Sequence, residues 1–393
     1  MRRPLLGLSL LLVACLALSG SAFATGPGGW NHLGETGPSA LNGHVTAMNA
    51  DTAGALYLGG NFTNAGGIAA ADRIAKWNGT KWSALGTTPL GNGSVFAIET
   101  HGAKVYAGGN FVNAGGKAAA DYLAVFDGVS WKPFCNTTAN PAFNAGGVQV
   151  LALQVIGSTL WVGGTFQNAN GDPLADYLIG CDLATGTPRV TIDKDGDFTG
   201  AIYDLAATAD GTLYAGGTFT NLDAVATADG VASYDGSWHG LGAAPIGGIV
   251  RALHAKGMNV YVSSDGVNIG GIAQADHLVK WNGSAYSAVG ANGAGTNGYF
   301  PATTYINALT TSGSRLFAAG SWQNADGKPT GDVIAFFNGT RWQPLGSNGA
   351  GGGPWVGDTQ ALAVFRARLY AGGAFTKAGG DAKANFAASR PLP

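Results

Sequence analysis

Apolar residues in this chain fall in short runs separated by glycine-rich, polar stretches, and one run returns throughout. Leu56-Tyr57-Leu58-Gly59-Gly60-Asn61-Phe62 is followed by Val105-Tyr106-Ala107-Gly108-Gly109-Asn110-Phe111 and Leu160-Trp161-Val162-Gly163-Gly164-Thr165-Phe166. Leu213-Tyr214-Ala215-Gly216-Gly217-Thr218-Phe219 is the fourth copy, and Val260-Tyr261-Val262-Ser263-Ser264-Asp265-Gly266 a worn fifth. Leu316-Phe317-Ala318-Ala319-Gly320-Ser321-Trp322 and Leu369-Tyr370-Ala371-Gly372-Gly373-Ala374-Phe375 complete the set. The aromatic residue after the first aliphatic recurs at separations of 49, 55, 53, 47, 56 and 53 residues.

Each copy predicts four strands. A short apolar run such as Val95-Phe96-Ala97-Ile98 comes first, then the Gly-Gly run, then a third such as Arg73-Ile74-Ala75-Lys76-Trp77. Asn78-Gly79, Asp127-Gly128, Asp235-Gly236, Asn282-Gly283 and Asn338-Gly339 follow the third run. These pairs tolerate the positive φ of a type I′ turn, so they predict a hairpin into the fourth strand. That strand reads Trp82-Ser83-Ala84-Leu85-Gly86, Trp238-His239-Gly240-Leu241-Gly242 or Trp342-Gln343-Pro344-Leu345-Gly346.

A self-similar period near ~50 residues built from such runs is the signature of a β-propeller. Seven copies predict an all-β, seven-bladed β-propeller of four-stranded blades, with residues 25–393 as a single domain. The seventh copy ends after Asn385-Phe386-Ala387-Ala388-Ser389 and lacks its fourth strand. Trp30-Asn31-His32-Leu33-Gly34 has the missing form, so this N-terminal strand is expected to join the last blade and close the ring.

The Gly-Gly strand, its aromatic and the later Trp resemble kelch repeats. They are more similar still to the kelch-like propeller repeat of bacterial secreted proteins and fungal cortical polarity markers, whose copies read Tyr-x-Gly-Gly-x-Phe. The resemblance covers nearly all of residues 25–393 and implies an exported binding or scaffolding propeller. It brings no shared catalytic motif. Blade five departs from it at Ser263-Ser264-Asp265-Gly266, and blade three replaces its hairpin pair with Cys181-Asp182-Leu183-Ala184-Thr185-Gly186.

The amino-terminal residues point the same way. Arg2 and Arg3, the apolar stretch from Leu5 to Leu18, and Ala22-Phe23-Ala24 make residues 1–24 a signal peptide cleaved before Thr25. Leu12-Val13-Ala14-Cys15 resembles a lipobox, the alternative being a lipid anchor at Cys15. No later segment is long enough to span a bilayer. The expected location is therefore secreted, periplasmic or cell-surface, where Cys135 and Cys181 could pair or stay as separate buried thiols. Gly (66 residues) and Pro (15) together stay below the roughly 25–30% of low-complexity chains. A net charge of −2 with 11% charged residues offers no basic stripe, so nucleic acid is excluded as a partner.

Chemistry is sparser than architecture. The long blade-to-blade links, 136–147, 191–200, 291–304 and 347–358, share one face with the loops after the Gly-Gly strands, and rigid scaffolds commonly carry function on such loops. The unrepeated aromatics Phe143, Tyr299, Phe300 and Trp355 are the candidate ligand contacts there, set against loops folded onto their own aromatics. Asp72, Asp121, Asp176, Asp229, Asp276 and Asp332 recur on that face, with Asn385 last. They are either a ring of carboxylates around a ligand or acceptors that close their own loops; repetition in every blade favours the second. Asp193, Asp195 and Asp197, with Asp204 beyond, alternate as hard oxygen ligands for Ca²⁺ do, although Phe198 stands where an EF-hand loop needs Gly. The alternative is a solvated acidic turn. The six histidines show no ligand spacing, and no nucleophile elbow is visible. The reading is an exported module that binds an extracellular carbohydrate or protein. A carbohydrate-active enzyme, lyase or hydrolase, and a structural surface protein are the alternatives.

Overall fold

The computed structural model describes residues 28–34, 40–135, 143, 147–191, 199–243 and 246–393. Among them, seven antiparallel sheets follow in chain order, six of four strands and the last of three. Blade one runs outward from the inner strand Val45–Ala50 through Leu56–Gly60 and Ile74–Trp77 to Trp82–Ser83. Inner strands pack on those of adjacent blades, and Val45–Ala50 packs on Thr359–Phe365 of blade seven. The ring is therefore closed: the chain is a seven-bladed β-propeller.

Blade spacing explains the two glycines. A Cβ on the first would lie 2.5 Å from Val95 Cγ1 at Gly59, 2.4 Å from Val150 Cγ1 at Gly108 and 2.5 Å from Ile202 Cγ2 at Gly163. Each such neighbour opens the inner strand of the next blade, so the bare backbone is what lets blades approach. A Cβ on the second would meet a carbonyl of its own blade, His44 O at 1.9 Å from Gly60 and Ser94 O at 2.0 Å from Gly109. In blade five Ser263 takes the first place, and its Oγ donates to Ile306 O of blade six at 2.9 Å.

The recurrent acid is structural. Asp72 Oδ1 accepts the Asn64 N–H at 2.7 Å, and Asp121, Asp176, Asp229, Asp276 and Asp332 each accept the N–H eight residues earlier. Asn385 does the same for Lys377. The donor residues all sit in the left-handed region, where Asn, present in every blade but the last, costs little; a short 3₁₀ turn follows each. The hairpin pairs differ from expectation. Gly79 and its equivalents take positive φ, but Asn78 does not. Instead Asn78 Oδ1 accepts the Thr80 and Lys81 N–H groups at 2.9 and 2.7 Å, and Asn282 and Asn338 repeat the pattern. The side chain organises a longer turn in place of a two-residue one.

At the N-terminus, Asn31 exchanges backbone hydrogen bonds of 2.8 and 2.9 Å with Ser389, as an isolated bridge and not a full strand. Trp30 is fully buried against blade seven, and its Nε1 donates to Leu345 O at 3.2 Å. Cys135 and Cys181 are joined in a disulfide, with Cα atoms 5.5 Å apart. It ties the end of blade two to the third strand of blade three, Leu178–Asp182.

Candidate functional site at the channel mouth

In every blade, one bulged residue interrupts the inner strand opposite the Gly-Gly pair or its equivalent, Ser263-Ser264 in blade five and Ala319-Gly320 in blade six. These residues are Thr46, Phe96, Leu151, Tyr203, Arg251, Asn307 and Gln360. A bulge adds a residue without a ladder partner and re-aims side chains. All seven line one cavity of about 300 Å³, enclosed by the inner strands of every blade and hence on the propeller axis. Beneath them comes alanine in six blades, Ala47, Ala97, Ala152, Ala252, Ala308 and Ala361, but Asp204 in blade four. Met48, Ile98, Leu153, Leu253, Leu309 and Leu362 form an aliphatic layer below. The mouth opens on the face of the blade-to-blade links, since these lead directly into the bulges.

Blade five concentrates charge there. The residue after the Gly-Gly pair is neutral in every other blade. Asn61, Asn110, Thr165 and Thr218 use it to accept the N–H groups of His44, Ser94, Gln149 and Ala201, and Ser321 and Ala374 stand there in blades six and seven. Blade five alone has a carboxylate, Asp265. It pairs bidentately with Arg251, Nε to Oδ1 at 2.7 Å and Nη2 to Oδ2 at 2.9 Å. The guanidinium also lies 4.4 Å from the centre of the Tyr305 ring. Asp204 Oδ1 and Oδ2 accept the Leu205 and Leu253 N–H groups at 2.8 and 2.7 Å, and burial pushes its carboxyl up to about 7. Asp358 accepts Asn307 Nδ2 at 2.8 Å; burial raises it too, partly offset by hydrogen bonds and by Arg251. Asp358 also lines a cleft of about 370 Å³ between blades six and seven, with Thr303, Gln323, Asp332 and the 83% exposed Val356.

The four link aromatics are not on this surface. Phe143, Tyr299, Phe300 and Trp355 are at most 6% exposed. Phe143 packs on Phe166 (4.6 Å between centroids), Phe300 on Trp322 (5.1 Å) and Trp355 on Phe375 (4.4 Å). Tyr299 stacks on Trp342. Each of these three links thus covers the aromatic of a Gly-Gly strand, because burying two rings outweighs leaving both wet. The expectation of exposed aromatic contacts is corrected accordingly. Asp193, Asp195 and Asp197 lie outside the described residues, while Asp204 stands in the channel wall. Among the described residues no three His, Cys, Asp or Glu side chains are grouped to hold a metal. The bulged ring is hidden in the sequence because its members share no residue type; the Ser263-Ser264-Asp265 break is its one visible signal.

Half-buried acids make stability pH-dependent. Glu99 accepts Asn49 Nδ2 at 2.9 Å, and burial raises it to about 7. The folded chain therefore holds protons on Asp204 and Glu99 that the unfolded chain releases near pH 4, and this stability is lost as pH rises through 7. Half-buried His254, lowered by desolvation to about 4, acts oppositely but only below pH 6.5. Between pH 6.5 and 8, unfolding free energy is expected to fall by about 1 kcal/mol per acid. Urea titrations of the parent and Asp204→Ala check this; equal slopes against pH would refute it.

No protein-family model matches the sequence, and no curated protein matches it. Solved structures share the fold. The extracellular domain of the BT4673 system of B. thetaiotaomicron aligns with 92% of this chain at 13% identity and a TM-score of 0.54. This chain spans only 39% of that one. YCF48 from Cyanidioschyzon merolae aligns over 93% of this chain and 99% of its own, at 11% identity and a TM-score of 0.52. A catalytically inactive virginiamycin B lyase from Staphylococcus aureus gives 92%, 99%, 11% and 0.52 in the same order. At these identities the likeness is one of fold. No helix among the described residues is long and apolar enough to cross a membrane.

Proposed function

We propose that this chain is an exported, kelch-like interaction module that binds an extracellular carbohydrate or protein at the channel mouth. The observation that carries the reading is the loss of repetition there: seven blades built on one strand pattern contribute seven different side chains to one cavity. A scaffold role needs no such variety. The buried disulfide suits an oxidising compartment, as does the signal-like N-terminus. The similar BT4673 propeller is an extracellular domain, which supports the same location. Ca²⁺ at Asp193, Asp195 and Asp197 belongs to this proposal as a separate element.

A glycan array probed with and without Ca²⁺, followed by capture of protein partners, tests the reading. Removing two of the unlike side chains that line the cavity, as Tyr203→Ala with Gln360→Ala, is expected to weaken binding at least about tenfold. Unchanged binding by a folded double variant would move the site elsewhere.

A further inference from the structure

We propose that the channel mouth reads a cationic amino-sugar oligomer, its ammonium groups held by Asp204 in the channel wall and by Asp358, which lines the adjoining cleft between blades six and seven and accepts a hydrogen bond from the channel residue Asn307. The inference rests on the preceding reading and narrows its ligand. Arg251 is already matched by Asp265, through both oxygens. Asp204 then has no ion-pair partner among the described residues, and Asp358 feels only the through-space attraction of Arg251, which is bonded to Asp265. Their hydrogen bonds come from neutral amides. Gln360 lines the same cavity, and its Oε1 has no hydrogen-bond partner. The cavity's cation, Arg251, is thus committed to Asp265, while the Asp204 carboxylate and the Gln360 amide oxygen face the space without a positive partner; an ammonium supplies N–H donors and positive charge together.

Asp204 is the informative residue. Six blades place alanine at this layer, so the fold does not require a carboxylate there. An enclosed acid without a counter-charge costs stability, which a cationic ligand would relieve. A sugar suits the surroundings better than a lysine side chain. Tyr203 and Phe96 line the cavity, where rings can meet sugar C–H groups, and the Asn307 and Gln360 amides can meet hydroxyls. A lysine stem brings no group for those amides.

Calorimetry at pH 7 with a glucosamine tetrasaccharide, its fully N-acetylated counterpart and Nα-acetyl-lysine amide tests the inference. Glucosamine oligomer binding at least about tenfold tighter than the acetylated form supports it. Asp204→Ala, which restores the residue of the other blades, should abolish that preference, and Asp358→Asn should weaken it while both variants melt cooperatively. Equal binding of the two oligomers would overturn the cation and leave the interaction module standing. Lysine amide binding as tightly as the glucosamine oligomer would overturn the sugar. No binding of any probe overturns the inference, while the array and partner capture judge the broader function independently.

Discussion

Gly372→Val is expected to leave the propeller with little or no cooperative unfolding transition. A Cβ at this position lies 2.5 Å from Val45 Cγ1 and 2.8 Å from Met48 Cε, both on blade one. This is where the last blade meets the first. Elsewhere in an open sheet an oversized side chain can push a neighbour outward. Here the neighbour is held by the rest of the ring, which has no slack. Overpacking costs typically about 1–3 kcal/mol, and more where backbone must move. Alanine alone enters that range; valine adds two methyl groups to the same gap and is expected to exceed about 3 kcal/mol. Total stability of folded chains is only about 5–15 kcal/mol. Urea and thermal melts of the Gly372→Ala and Gly372→Val variants check the order. A valine variant with the parent's midpoint would mean that the blades are not in this contact.

Replacing both cysteines, as Cys135→Ser with Cys181→Ser, is expected to cost about 2–4 kcal/mol. The bond closes a loop with a sequence separation of 46 residues, and the unfolded chain regains that loop's freedom when it is cut. Both residues are fully buried in one cluster with Phe134, Phe143 and Phe166. Serine would also leave two hydroxyls in an apolar setting, which adds to the loss. The double variant is compared with the parent in urea, and the parent with and without reductant. A parent-like midpoint in the double variant would show that packing alone holds blades two and three together.

The recurrent features are legible along the chain for a physical reason. Gly59 and its equivalents recur because each blade meets the next at the same distance, and the Asp72 series recurs because each loop has the same N–H to satisfy. The cysteine pairing is not legible, since nothing in a separation of 46 residues tells whether two Cα atoms will lie 5.5 Å apart. The link aromatics mislead for a related reason. Phe143 and Trp355 look unassigned along the chain because their partners, Phe166 and Phe375, belong to the following repeat's motif. The Asn78-Gly79 pair marks a turn correctly, while the turn's geometry comes from the Asn78 side-chain Oδ1 accepting two N–H groups.

The number of blades, their strand order and the chemistry of their loops follow from the chain alone, since all of these depend on contacts within a repeat or between consecutive repeats. What faces the axis does not. Tyr203, Asp204, Arg251, Asn307 and Gln360 come from four blades and share no motif. They become neighbours in the folded ring, because a bulge turns each inner strand at the same height and because the seventh blade closes on the first.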